Sequence, residues 1–147
     1  MEGNHFLLEE QLCFSTYALS KQFTKFYRPV LEPYSLTYTQ YVALLVLWEM
    51  PEQSIQLLGK KLGLDSGTLT PMLKRMELNG YITRNRYPED ERKVIITPTE
   101  KADAIKDELL EKVSACLGLL NLDEKDYFDL LAKINQLTQT LGGINNG

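Results

Sequence analysis

In the stretch Leu64–Glu77, Ser66, Thr68 and Thr70 stand near the start of a segment whose apolar residues Leu69, Met72, Leu73 and Met76 recur at helical spacing, and Lys74 and Arg75 occupy its other side. Asp65 or Ser66 can cap such a helix. Short hydroxyl donors at a helix N-terminus can approach base edges while cations further along neutralise phosphates, so the pattern predicts a recognition helix for the major groove of DNA. Two thiols supply the other candidate chemistry. Cys13 and Cys116 are too few and too far apart for the disulfide framework of a secreted domain, and in a reducing compartment both rest as thiols whose chemistry is redox or metal binding. From composition alone, Cys13 reads first as a small apolar residue on a buried helix face, and Cys116 reads so nearly as readily as it reads functional.

The surrounding pattern predicts how the recognition segment is held. Ser54 can cap a short helix over Ile55–Leu62 with Gly63 at its C-terminal turn, and the recognition segment follows two residues later, which is the helix-turn-helix arrangement. After Asn79-Gly80 the period changes to alternation over Tyr81–Arg86, with a turn around Pro88-Glu-Asp90 and a return over Lys93–Thr97. This is a β-hairpin whose Arg84, Arg86, Arg92 and Lys93 could reach along a nucleic-acid backbone or into a minor groove. Upstream, Thr37 or Thr39 can start a helix over Tyr41–Met50 that is apolar nearly all round and therefore buried, with Pro51 ending it. The first helix is expected from about Phe6 to Leu31, ending near Pro33. Downstream, Thr97-Pro-Thr-Glu100 reads as an N-cap, a proline at the first helical position and a capping-box glutamate, opening a long helix to about Leu117. Asp123 starts a last helix that carries Tyr127, Phe128, Leu130, Leu131, Ile134, Leu137 and Leu141 before Gly142-Gly143.

A chain of 147 residues, 44% of them hydrophobic, is long enough for one packed domain and short for two. Its net charge of −4 hides an asymmetry. Residues 60–93 hold eight Lys/Arg against five Asp/Glu, whereas the remainder holds eight against fifteen, so the positive charge gathers on the expected reader. No apolar run is long enough to span a bilayer, and no basic segment leads into an apolar signal core, so a soluble cytoplasmic protein without a membrane partner is expected. An enzyme is not expected. The sole histidine, His5, sits at the N-terminus away from any nucleophile, and the sequence carries no phosphate loop, paired-carboxylate signature or Cys/His metal cluster; neither a cofactor nor a metal is anticipated. The apolar faces of residues 6–31 and 98–141 exceed what a small winged core can cover, which implies a homodimer; two-fold symmetry would suit a pseudo-palindromic duplex site.

Taken together, Asp65–Glu77, the wing Asp90-Glu-Arg92, the run Leu36–Tyr41 and Gln11-Leu-Cys-Phe14 resemble the MarR family of dimeric winged-helix regulators, in its organic hydroperoxide resistance and staphylococcal thiol-based oxidation-sensing branch. The resemblance covers nearly the whole chain. It implies a mainly α, winged helix-turn-helix fold in a single MarR-type domain, with 37–97 binding DNA and 6–36 and 98–141 forming the dimerisation region. It assigns Ser66, Thr68, Thr70 and Arg75 to the reading helix, Arg84 to its supporting strand, and Asp90 with Arg92 to the wing, where the carboxylate would orient the guanidinium. It also makes Cys13 the peroxide-reactive thiol, hydrogen-bonded by tyrosines corresponding to Tyr27 and Tyr38, with Phe14 and Tyr17 forming an apolar entrance suited to organic hydroperoxides. Cys116 then corresponds to the second cysteine of those members that resolve a sulfenic acid across the dimer. The implied function is a redox-sensing repressor that releases its operator on oxidation of Cys13. The alternatives are release by a small aromatic ligand, or a thiol peroxidase using Cys13.

Overall fold

A computed structural model of the chain describes residues 7–147, apart from the side chain of Glu91. The six α-helices of this part are α1 (Leu12–Leu31), α2 (Tyr38–Glu49), α3 (Ile55–Leu62), α4 (Ser66–Leu78), α5 (Glu100–Gly118) and α6 (Glu124–Asn145). Three strands, β1 (Gln53–Ser54), β2 (Ile82–Tyr87) and β3 (Asp90–Pro98), form an antiparallel sheet in the order β1-β3-β2. The mainly helical winged helix-turn-helix class is the one expected. The chain forms two compact units, one ending at Val113 and the other running from Ser114 to Gly147.

Each helix of the reader starts where a side chain can take up an orphan backbone donor. Thr37 and Gln40 close a reciprocal capping box on α2, with the Gln40 N–H donating to Thr37 Oγ1 at 3.3 Å and the Thr37 N–H donating to Gln40 Oε1 at 3.0 Å. Ser54 Oγ accepts from Leu57 N at 3.2 Å to start α3, and Gly63, at φ 67°, ends it in the left-handed conformation that glycine adopts without strain. Asp65, rather than Ser66, caps α4, accepting from Thr68 N at 2.8 Å. α4 continues as an α-helix through Pro71. Its stripe of Leu69, Met72, Leu73 and Met76 is buried with Leu44 and Leu47 of α2, Leu58 of α3, Ile82 of β2 and Ile96 of β3.

Four local expectations are corrected. The segment expected to be helical from Phe6 is interrupted: a 3-10 turn at Leu8–Glu10 precedes the extended Gln11, and α1 begins at Leu12; Phe6 and His5 lie outside the described residues. α2 starts at Tyr38, because the Thr37–Gln40 box acts earlier than the apolar run suggested. Thr97 is not an N-cap and Pro98 is not the first helical residue. Both belong to β3, paired with Thr83 and Ile82, and Thr99 caps α5 by accepting from Ala102 N at 3.3 Å. Finally, α6 runs through Gly142-Gly143 to Asn145.

In the second unit the last residues of α5 lead to α6, which starts at the Asp123 cap and buries none of its residues. Phe128, Leu130, Leu141 and Ile144 are all about half exposed or more, so the apolar stripe of α6 is open among the described residues.

The close approach of α3 to α4 depends on Gly59. A Cβ there would meet Leu64 O at 3.0 Å and Leu69 Cδ2 at 3.1 Å, the first of which is backbone and cannot swing aside. Gly59→Ala should therefore cost about 1–3 kcal/mol by overpacking, although alanine is the better helix former. Gly143→Ala, where an added Cβ meets nothing within 4 Å, should be neutral or stabilising by up to about 1 kcal/mol. Denaturant unfolding of both variants checks the contrast, and a Gly59→Ala protein as stable as wild type would contradict the packing argument.

Candidate nucleic-acid interface and thiol site

On α4, at 100° per residue, the buried stripe leaves the rest of the circumference open. Ser66, Thr70 and Lys74 lie along one edge of the open face by their i,i+4 spacing, and Thr68 and Arg75 lie along the other. Ser66, Thr68, Lys74 and Arg75 are exposed and Thr70 is partly so. Gly67 and Pro71 lie between the two rows, which keeps the middle of the face low and lets the flanking donors stand out.

The wing is shaped by an irregular register. Arg86 pairs with Val94, but the next pair is Tyr87 with Asp90, so residues 91–93 bulge from β3 beyond the two-residue turn Pro88-Glu89. A bulge of this kind redirects side chains, and here it carries Arg92 outward beside exposed Arg86 and Lys93. Asp90 does not grip the Arg92 guanidinium as the resemblance implied. Its Oδ1 accepts from the Arg92 backbone N–H at 3.0 Å, which fixes the main chain of the bulge and leaves the guanidinium outside that bond.

Arg84 is held differently from the other cations. Its Nη2 and Nε donate to Glu77 Oε1 at 3.1 and 3.3 Å, and its backbone N–H donates to Glu77 Oε2 at 3.2 Å. The last turn of α4 is thus pinned to β2 by one carboxylate. The hydrogen bond from Arg84 holds the Glu77 carboxyl below the usual carboxylate range; the Arg84 charge and backbone N–H add to this, against a partial desolvation effect. Glu77 escaped the sequence reading because it looks like an ordinary surface glutamate on a helix. The seven-residue offset to a basic residue in the following strand was the available signal.

Cys13 is the second residue of α1 and is exposed, with exposed Phe14 and Tyr17 close by in sequence. Tyr27 and Tyr38 are brought together elsewhere. Tyr27, 8% exposed near the end of α1, and Tyr38, the first residue of α2, have ring centroids 5.1 Å apart, and Tyr41 lies 5.9 Å from Tyr27. Burial, then the neighbouring Tyr38, pushes the Tyr41 phenol above its usual range. Cys13 and Tyr27 are fourteen residues apart on one continuous helix, hence about 21 Å apart along its axis and on nearly the same face. The Tyr27 hydroxyl of a chain cannot reach the thiol of that chain. Cys116 is partly buried near the end of α5, in the second unit. Among the described residues, no group of three His, Cys, Asp or Glu side chains could hold a metal ion, and no helix is long and apolar enough to cross a membrane.

Comparison with known proteins bears on this arrangement. Residues 25–109 match the family described as transcriptional regulator SarA/Rot. The chain is 46% identical over 138 residues, covering 94% of each protein, to the organic hydroperoxide resistance transcriptional regulator of Bacillus subtilis (strain 168). Among solved structures it is similar to reduced AbfR bound to DNA, with a TM-score of 0.86 and 37% identity over 98% of this chain and 99% of that one. It is less similar in shape to disulfide-formed AbfR, with a TM-score of 0.66 and 38% identity over 95% of this chain and 93% of that one. AbfR is a protein of Staphylococcus epidermidis.

The Glu77–Arg84 pair makes a prediction about pH. Because the folded-state carboxyl is depressed, its contribution to stability is present above the unfolded-state pKa and is lost as the pH falls through the lower folded-state value. Glu77→Gln should therefore flatten the acid side of a plot of melting temperature against pH. Glu108, depressed by hydrogen bonds from Lys112 and Tyr34, titrates in both proteins and cancels in the comparison. Parallel acid limbs would mean that the Glu77–Arg84 contact contributes nothing to folding.

Proposed function

Because the chain belongs to the SarA/Rot family of transcriptional regulators, within the MarR-type winged-helix proteins and their organic hydroperoxide regulator branch, we propose that it represses transcription by binding duplex DNA as a homodimer and lets go when Cys13 is oxidised. One observation carries the reading. The same chain presents an exposed thiol beside the exposed apolar side chains of Leu12, Phe14 and Tyr17 and, on a separate element, an exposed helix face lined with hydroxyls and cations. The first is suited to an apolar oxidant and the second to a phosphate-lined groove.

In this account Ser66, Thr68 and Thr70 approach base edges, Lys74 and Arg75 contact phosphates or bases, and Arg86 and Arg92 on the wing engage the adjoining backbone or minor groove. Asp90 shapes the bulge that presents Arg92, and Arg84 acts on DNA through the pose of α4 that it fixes with Glu77. Residues 37–97 form the DNA-binding part and residues 6–36 and 98–141 the dimerisation part of a single MarR-type domain. The exposed apolar residues Leu12, Phe14, Tyr17 and Leu19 of α1 and the open stripe of α6 support a second copy as their cover.

Helical geometry also supports a shared thiol site. Since Cys13 and Tyr27 lie about 21 Å apart on nearly one face of α1, an antiparallel crossing of two α1 helices about Ser20 would bring the thiol of one chain to Tyr27 and Tyr38 of the other. There the two hydroxyls would hydrogen-bond the thiolate, and Phe14 and Tyr17 would favour an organic hydroperoxide. The thiolate sulfur attacks the distal peroxide oxygen, the O–O bond breaks, and the departing alkoxide takes a proton to leave as alcohol, with Cys13 oxidised to sulfenic acid. Cys116 of the opposite chain then displaces the sulfenic oxygen as water, forming an intersubunit disulfide. AbfR is less like this chain in its disulfide form than in its reduced, DNA-bound form, which supports a change of shape on crosslinking. A regulator is oxidised once per release and needs no turnover, so a thiol peroxidase is the weaker reading. It and release by a small aromatic ligand make different predictions for Cys13.

Removing a direct contact to DNA should cost on the order of 1–3 kcal/mol, so Arg75→Ala and Arg92→Ala should each weaken binding of a duplex selected by the wild-type protein, and more so at low salt. Unchanged titrations for both variants at matched ionic strength would rule out the proposed DNA face.

Cys13→Ser protein should bind that duplex and keep it after treatment with cumene hydroperoxide. Treated wild type should release it and run as a covalent dimer on a non-reducing gel, a band that Cys116→Ser should also abolish. Release of the Cys13→Ser protein at the wild-type dose would point to another effector. Release of wild type without the band would leave Cys13 acting without Cys116.

A further inference from the structure

Tyr34 closes the 3-10 turn Glu32–Tyr34 in the short connector that joins the Tyr27 end of α1 to Tyr38 at the start of α2. The connector is the covalent link between the two rings, so a relative displacement of the helix ends that carry them bears on it directly. Its backbone is tightly determined: Ser35 N donates to Glu32 O at 2.9 Å, Leu36 N donates to Leu31 O at 3.2 Å, and Ser35 is held at φ 55°, a left-handed conformation that a serine adopts only when its surroundings require it.

Both polar ends of Tyr34 are tied to other elements. Its carbonyl accepts from the Tyr81 hydroxyl at 2.5 Å, and its own hydroxyl donates to Glu108 Oε1 of α5 at 2.7 Å. Lys112 completes the brace, with Nζ 3.0 Å from the Tyr34 hydroxyl and 2.6 Å from Glu108 Oε1. Tyr81 stands at the root of the reader. It is 2% exposed, its N–H donates to Met76 O in the last turns of α4 at 2.9 Å, and its carbonyl accepts from Thr99 N at 3.0 Å where β3 gives way to α5. Burial, then Tyr34, pushes the Tyr81 phenol above its usual range, so it stays protonated and remains a donor.

We infer that the Tyr81–Tyr34 hydrogen bond, braced by Glu108 and Lys112, carries the state of the Tyr27/Tyr38 pair to the end of the recognition helix, and that Tyr34 and Tyr81 are positioning residues for DNA release. This rests on the redox reading of Cys13 given above. The bond is the right kind of link because it joins a connector and a helix end through one short, directional contact. The Tyr81 ring supplies the packing whether or not the hydroxyl is present, so the hydroxyl can be removed while the buried ring is kept.

Full-length Tyr81→Phe and Tyr34→Phe proteins test this, with a duplex selected by the reduced wild-type protein from a random pool as probe. Three quantities are read: the rate at which cumene hydroperoxide consumes the Cys13 thiol, Kd for the reduced protein, and Kd for the oxidised protein. Tyr81→Phe should consume the thiol at the wild-type rate and bind within about threefold when reduced, while the ratio of oxidised to reduced Kd falls about tenfold toward one. Tyr34→Phe, which keeps the carbonyl but loses the brace, should lower the ratio by less. Wild-type ratios in both variants, or equal weakening of the reduced and oxidised states, would overturn the coupling while leaving the sensor reading intact. A wild-type ratio of one would instead overturn the sensor reading, and the coupling with it.

Discussion

The length of α1 constrains everything else in this account. A continuous helix from Leu12 to Leu31 holds Cys13 and Tyr27 on nearly the same side and about four turns apart, and no side-chain rotation closes that distance. A thiol served by Tyr27 therefore requires a second chain. In the proposed site, sensing and dimerisation are one structural fact. On that proposal, oxidation at Cys13 would act on an interface rather than inside a subunit, which is where a small chemical change can alter the spacing of two readers.

The reader itself is built for rigidity. Gly59 permits close contact between α3 and α4, Gly63 turns the chain between them, and Glu77 ties α4 to β2 through Arg84. Tyr81, Thr99 and Lys101 then close the junction of α4, the wing and α5: Thr99 Oγ1 donates to Gly80 O at 2.5 Å, and Lys101 Nζ donates to Asn79 O at 2.6 Å. The C-terminal end of α4 is thereby tied to the wing and to the start of α5. Such anchoring suits the proposed release, because a loosely held helix would absorb a shift locally.

Much of this was legible in the sequence where local chemistry and fold agree. Ser54 and Gly63 bounded α3, the buried stripe of α4 followed its apolar spacing, and the change of period after Gly80 marked the hairpin. One misreading came where two local signals competed. Thr97-Pro-Thr-Glu100 satisfies a helix start at either threonine, and pairing of Thr97 and Pro98 with Thr83 and Ile82 decides for Thr99. The two-residue strand β1 exists only through its pairing with Ile95 and Ile96, so nothing in Gln53-Ser54 announces it. The Glu77–Arg84 clamp and the Tyr81–Tyr34 bond are tertiary contacts between ordinary residue types, invisible to periodicity. Clustering of Tyr27 with Tyr38 was likewise implied by resemblance, and the ring geometry supplies its physical form.

The most direct measurement of the central claim uses a mixed dimer, with Cys13→Ser in one chain and Tyr27→Phe plus Tyr38→Phe in the other. If the thiol of each chain is served by the tyrosines of its partner, this dimer keeps one complete site, formed by the remaining Cys13 and the intact tyrosines of the serine-bearing chain. Its thiol should react with cumene hydroperoxide at the wild-type rate, well above that of the Tyr27→Phe, Tyr38→Phe homodimer. A mixed dimer as slow as that homodimer would contradict the shared site and the account built on it.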